Sequence, residues 1–134
     1  MLELGTDERV LCDIQGRLFE NSIKEGYDSP SFIEAYMNSE MTAYMDLPFD
    51  RYQWAGEEYL LEELLDETGG IPKAGTLYDR EAMYWCGYIY RYWHYYTGES
   101  SKEIYIIADG ERMNRCWLAY HTLDVEMAID DLRH

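Results

Sequence analysis

The sequence predicts an all-α fold: a compact bundle of about six helices around a central aromatic-rich helix, with residues 1–134 forming a single helical domain. Three observations predict it. Helix start and stop signals recur along the chain, apolar residues between them follow the helical period, and the segment REAMYWCGYIYRYWHYYT carries aromatics on every face. A helix that is apolar all round is a buried one, so this segment, 80–97, is the expected axle and the other helices should pack around it. Tyr, Trp and Ile also favour strands, but the run between a capping Asp79 and a terminating Gly98 is too long for one.

The elements follow in order. The first helix is expected over Thr6–Lys24, with Thr6 as its cap, Asp7 and Glu8 in the first turn where a helix favours negative charge, and Gly26 beyond its end. Val10, Leu11, Ile14, Leu18 and Phe19 supply its helical spacing. Ser29-Pro30 opens a second helix through Phe32, Ile33, Tyr36, Met37 and Met41, since proline suits the first helical position. Pro48 marks a break, and a third helix is expected from near Asp50 to Thr68, closed by Gly69-Gly70. The stretch 71–78, with Pro72 and Gly75, is the longest candidate loop before the central helix. Ser100 followed by Glu103 reads as a capping box for a short helix containing Ile104, Tyr105, Ile107 and Ala108. Asp109-Gly110 breaks that helix or starts the next, a helical segment being expected over Arg112–Tyr120 with Met113, Cys116, Trp117 and Tyr120 inward. A turn with Thr122 or Asp124 as cap then leads to a last helix carrying Val125, Met127, Ala128, Ile129 and Leu132.

Charge narrows the function classes. Twenty-seven acids against eleven bases give a net charge of −16, a field that repels nucleic-acid phosphates and anionic lipid and attracts basic surfaces. Direct nucleic-acid binding and membrane binding are therefore not expected, while a basic protein partner is; the same acidity also serves plain solubility. A hydrophobic fraction of 47% argues against disorder despite that charge. The sequence has no long uncharged apolar run, and MLELGTDERVL lacks the basic-then-apolar layout of a signal peptide, so a cytoplasmic protein is expected. Cys12, Cys86 and Cys116 lie far apart and form no CxxC pair, so they read as small core residues rather than disulfides or zinc ligands.

The sharpest charge feature lies on the third helix, where Glu58, Glu62 and Asp66 fall four apart with Glu57, Glu63 and Glu67 alongside. Like charges at that spacing repel, so the stripe reads as a docking face relieved by a cationic partner, or else as an ordinary solvated helix back. Paired carboxylates also serve metal sites in helical bundles, but the Glu-x-x-His pattern those sites use is missing. His121 and Asp124 have ligand-like spacing, although Asp124 reads more simply as a helix cap. On the central helix, Arg91 needs a carboxylate or an aromatic face to be tolerated, and Tyr84, Tyr88 and Tyr95 fall on its side. A possible pocket is thus Arg91, His94 and His121 with Tyr88 and Tyr95, against the plainer reading of an ion-paired arginine and hydrogen-bonded core histidines. The sequence lacks a Gly-rich phosphate loop, a nucleophile elbow and a Cys and His nucleophile pattern, so no catalytic residue, metal or cofactor is expected.

Three stretches carry a resemblance: Arg51 to Tyr59, Gly87 to Ser100, and Tyr120 to Asp124. From about Tyr27 to Leu132 the chain resembles a family of small bacterial proteins common in gut Firmicutes and associated with antitoxin-like or mobile-element gene neighbourhoods. The resemblance implies no activity and no catalytic residue. Three readings follow: an antitoxin-like inhibitor that neutralises a basic toxin or nuclease; an anti-defence (anti-CRISPR-like) inhibitor that mimics nucleic-acid charge; and an enzyme or small-ligand binder with a Tyr/Arg/His-lined pocket. Self-association is left open.

Overall fold

The computed structural model describes residues 4–48 and 50–134, with the side chains of Arg51 and Trp54 outside the description. Among the described residues the chain forms eight α-helices and one 3-10 turn, and no strand. The helices are α1 (Thr6–Lys24), α2 (Ser29–Met37), α3 (Glu40–Met45), α4 (Glu57–Thr68), α5 (Arg80–Thr97), α6 (Ser101–Ile107), α7 (Gly110–Tyr120) and α8 (Val125–Leu132), with the 3-10 turn at Arg51–Trp54. The fold is all-α, as the sequence predicts.

Helix ends account for most of the agreement and most of the differences. Asp79 starts α5 by accepting from the Glu81 N–H at 2.8 Å, and Gly98 ends it in the left-handed conformation, φ 80°, which glycine adopts without a Cβ penalty. Ser100 and Glu103 form the expected capping box at α6. Eight helices stand where about six were expected. The second expected helix breaks after Met37, because Ser39 accepts from the Thr42 N–H at 3.0 Å and starts a new helix, α3. The third does not run unbroken from Asp50: Asp50 caps only the 3-10 turn, and extended backbone at Ala55 and Gly56 precedes α4. At the N-terminus Gly5, rather than Thr6, is the cap, its N–H held by the Glu8 carboxylate at 2.9 Å.

Helix α5 is the axle. It packs on α1, α6, α7 and α8, and no residue from Ala82 to Thr97 is exposed. Its most extensive partner is α1, and the two approach through small residues. A Cβ on Gly87 would meet the Gln15 carbonyl oxygen at 2.6 Å, and one on Gly16 would meet the Tyr84 ring at 2.8 Å. Around this crossing Phe19 meets Phe32 and Tyr36 edge-on, each at 5.2 Å between ring centroids, and Tyr90 at 6.1 Å. Such pairs add roughly 0.5–1.5 kcal/mol each beyond the area they bury.

The outer helices are less covered than their spacing predicts. Met113 of α7 is buried, but Cys116, Trp117 and Tyr120 are only half-buried. Met127 of α8 is exposed, while Ala128, Ile129 and Leu132 face the core. Cys12 and Cys86 are core residues, and burial pushes the Cys12 thiol up to about 12. The segment between α4 and α5 is strapped to α2: Asp28 caps α2 through Ser31 and also accepts from the Thr76 N–H at 2.7 Å, while its own N–H donates to the Pro72 carbonyl at 2.8 Å.

Candidate functional site

The acidic stripe lies on α4, a helix that buries Leu60, Leu61 and Leu64 and turns its remaining faces outward. Glu58, Glu62 and Asp66 are exposed, and among the described residues none of them, nor Glu63, is in an ion pair. The stripe is not uniform. Glu57 is half-buried and lies 3.9 Å from the Arg17 guanidinium. Glu67 is committed to the fold, its carboxylate accepting from the Glu40 and Met41 N–H groups at 2.8 and 3.1 Å, where it satisfies the first turn of α3. Aromatic surface lies close by: Tyr59 on the same helix is 49% exposed, and Tyr44 on α3, 48% exposed, leans on Tyr52 at 6.1 Å.

The residues of the expected pocket are only partly brought together. Arg91 is fully buried; its Nε donates to Gln15 Oε1 at 3.0 Å and its Nη1 to Asp46 Oδ1 at 2.7 Å and the Met45 carbonyl at 3.3 Å. Burial works against its charge, but Tyr36 and Asp46 outweigh that, and its pKa is raised. The Tyr95 ring lies 6.0 Å from the guanidinium. Asp46 ends α3 and also accepts from the Ser101 N–H at 2.9 Å and hydroxyl at 2.7 Å, so one carboxylate ties α3, α5 and α6.

His94 belongs to the same knot. Its Nε2 faces the Asp46 carbonyl at 2.9 Å and its Nδ1 the Glu99 carbonyl at 2.7 Å, an arrangement a neutral imidazole satisfies at only one nitrogen. Neither nitrogen is left to relay a proton to a substrate. His121 is elsewhere: exposed, stacked on Trp117 at 4.9 Å, with Nδ1 toward the carbonyls of Trp117 and Leu118. The pocket reading therefore loses His121, because its turn lies between α7 and α8, and Asp124 three residues on is spent capping α8. Tyr88 also stands apart, beside Tyr84 at 6.2 Å, and burial raises the pKa of its hydroxyl.

A cavity of about 660 Å³ opens beside the knot, between the first turns of α1, the end of α3 and the last turn of α5. His94 and Tyr95 line it together with Asp7, Glu8, Asp46 and Leu47. Its size is that of ordinary small-ligand sites. Among the described residues no cluster of histidine, cysteine and carboxylate side chains is placed to hold a metal ion, and no helix is long and apolar enough to cross a membrane.

No family model matches the chain, and no curated protein or solved structure matches it. Sequence reasoning finds the acidic helix, Arg91, His94 and Tyr95, but it misses Asp46 and Gln15, the partners that make a buried arginine tolerable. The only local signal for Asp46 is a carboxylate after Met41-Thr42-Ala43-Tyr44-Met45, which also reads as a loop residue.

Proposed function

We propose that the chain is an acidic, non-enzymatic binding protein, antitoxin-like in its action, that neutralises a basic protein partner such as a toxin or nuclease by docking it on α4. The observation that carries this reading is the set of exposed carboxylates on successive turns, Glu58, Glu62 and Asp66, unpaired among the described residues and next to half-exposed Tyr59. Like charges at four-residue spacing cost a helix a few tenths of a kcal/mol per pair, a cost that a cationic surface removes. Opposite charge speeds encounter, and tyrosine supplies contact area with little entropy to lose.

Nucleic-acid mimicry is supported less well. Exposed carboxylates stand also on α1, α7 and α8, at Asp7, Glu111 and Asp130, so the negative charge is not gathered into one stripe. Catalysis is supported less again, since His94 and Asp46 spend their polar atoms on carbonyls, Arg91 and Ser101.

The test is co-purification from the native host, followed by binding of the recovered basic partner to the triple variant Glu58→Gln/Glu62→Gln/Asp66→Asn. The association rate should fall at least tenfold at low salt, and the wild-type rate should itself fall steeply between about 50 and 200 mM salt. A triple variant that binds as fast as wild type rejects the α4 face.

A further inference from the structure

We propose that the cavity beside α3 is the anchor hole for an arginine side chain of that basic partner, seated with an apolar neighbour; this rests on the docking reading above. Two observations select the occupant. The first is charge. Asp7, Glu8 and Asp46 line the cavity, Glu8 already holding the Gly5 N–H and Asp46 the Ser101 donors, which leaves Asp7 as the uncommitted carboxylate, and among the described residues no lysine or arginine lines it. Arg91 neutralises Asp46, and the N-terminus of α1 contributes roughly +0.5 of a charge, yet the balance remains negative. Tyr95 adds an aromatic ring to the wall, a surface to which a guanidinium is attracted.

The second observation is the apolar half of the lining. Val10, 48% exposed, and Leu47, 47% exposed, stand on it beside Leu11 and Pro48. A free polyamine would satisfy the carboxylates and leave this wall wet, whereas an arginine with an adjacent leucine-like side chain covers both. Gln53 also lines the cavity, and it stands in the 3-10 turn that leads into α4. The cavity and the acidic face are thus neighbours along the chain, within reach of a single partner. An anchor in a desolvated pocket with a charged face beside it is the usual division of labour at a protein interface.

The test is titration of 15N-labelled protein with the blocked dipeptide acetyl-Leu-Arg-amide, with acetyl-Leu-Glu-amide and spermidine as separate arms. The arginine peptide should give saturable amide shifts in the first turns of α1, at Asp46 and Leu47, and at His94 and Tyr95. Affinity should weaken at least fivefold in Asp7→Asn and in Val10→Trp, the second of which plugs the hole from a half-exposed position and so leaves the core in place. The melting curve of each variant, followed by circular dichroism, establishes that it is folded. Absence of saturable shifts, equal binding of the glutamate peptide, tighter binding of spermidine, or shifts confined to α4 each overturn the proposal. The α4 triple variant separates the two ideas: it should bind the dipeptide as wild type does. If it also keeps its association rate with the whole partner, the docking face fails while the cavity stands.

Discussion

Arg91 and Asp46 show how a single buried charge organises its surroundings. Removing Asp46 leaves the guanidinium uncompensated in a fully buried position, so Asp46→Ala should destabilise the protein by about 3–5 kcal/mol in urea unfolding. Arg91→Met should cost distinctly less, because Asp46 keeps both Ser101 donors and Gln15 keeps its bond from the Tyr36 hydroxyl. The double variant should then be more stable than Asp46→Ala alone; strict additivity of the two changes would show that the pair is not coupled. At this scale the sequence is half legible. That Arg91 needs a carboxylate or a ring follows from its aromatic neighbours, but the carboxylate lies 45 positions away, in a segment with no charge pattern of its own to mark it.

At the scale of elements, the α1–α5 crossing depends on the absence of a side chain. Alanine at Gly87 would gain about 1 kcal/mol of helix propensity and lose more by pressing on the Gln15 backbone, which cannot rotate away as a side chain can. Gly87→Ala should therefore destabilise by about 1–3 kcal/mol in thermal or urea melts, and a neutral or stabilising result would mean that the helices separate freely. Gly110→Ala is the contrasting case: its neighbours belong to the buried Ile33 side chain rather than to backbone, the nearest being the terminal Cδ1 at 2.8 Å, so the change should be smaller. Caps mark where elements begin, and these were readable: Asp79, Ser100 and Asp124 act at the positions their residue types imply. The break between α2 and α3 was not, because apolar spacing continues through Met37 and Met41 and the competing cap is one serine. Nor does periodicity reveal that α8 lies at the margin, where Met127 meets water instead of core.

For the whole molecule, charge and tyrosine set the response to solution conditions. With a net charge of −16, raising salt from about 10 to about 150 mM shortens the screening length from about 30 to about 8 Å and should raise the melting temperature; a flat or falling curve would mean that self-repulsion is not a significant term. Alkali should act oppositely. Burial pushes Tyr36 and Tyr90 above the ordinary value of 10.0, and Tyr95 to about 12. The native state thus holds protons that the unfolded chain releases first, near pH 10. Stability from these groups is complete below that pH and is lost as pH rises toward 12. Tyrosinate absorbance should lag free tyrosine and then rise together with loss of helical circular dichroism; ionisation of these rings ahead of unfolding would contradict their burial. The negative total was plain in the sequence, whereas which rings are sealed depends on contacts that only the folded chain makes. The same long-range pairing has a bearing on synthesis. Gln15 bonds Gly87, 72 positions later, and Phe19 rests on Tyr90. A ribosome releasing this chain therefore exposes the oily face of α1 well before its counterpart emerges, and in that interval the residues that will meet α5 have nothing of it to rest on.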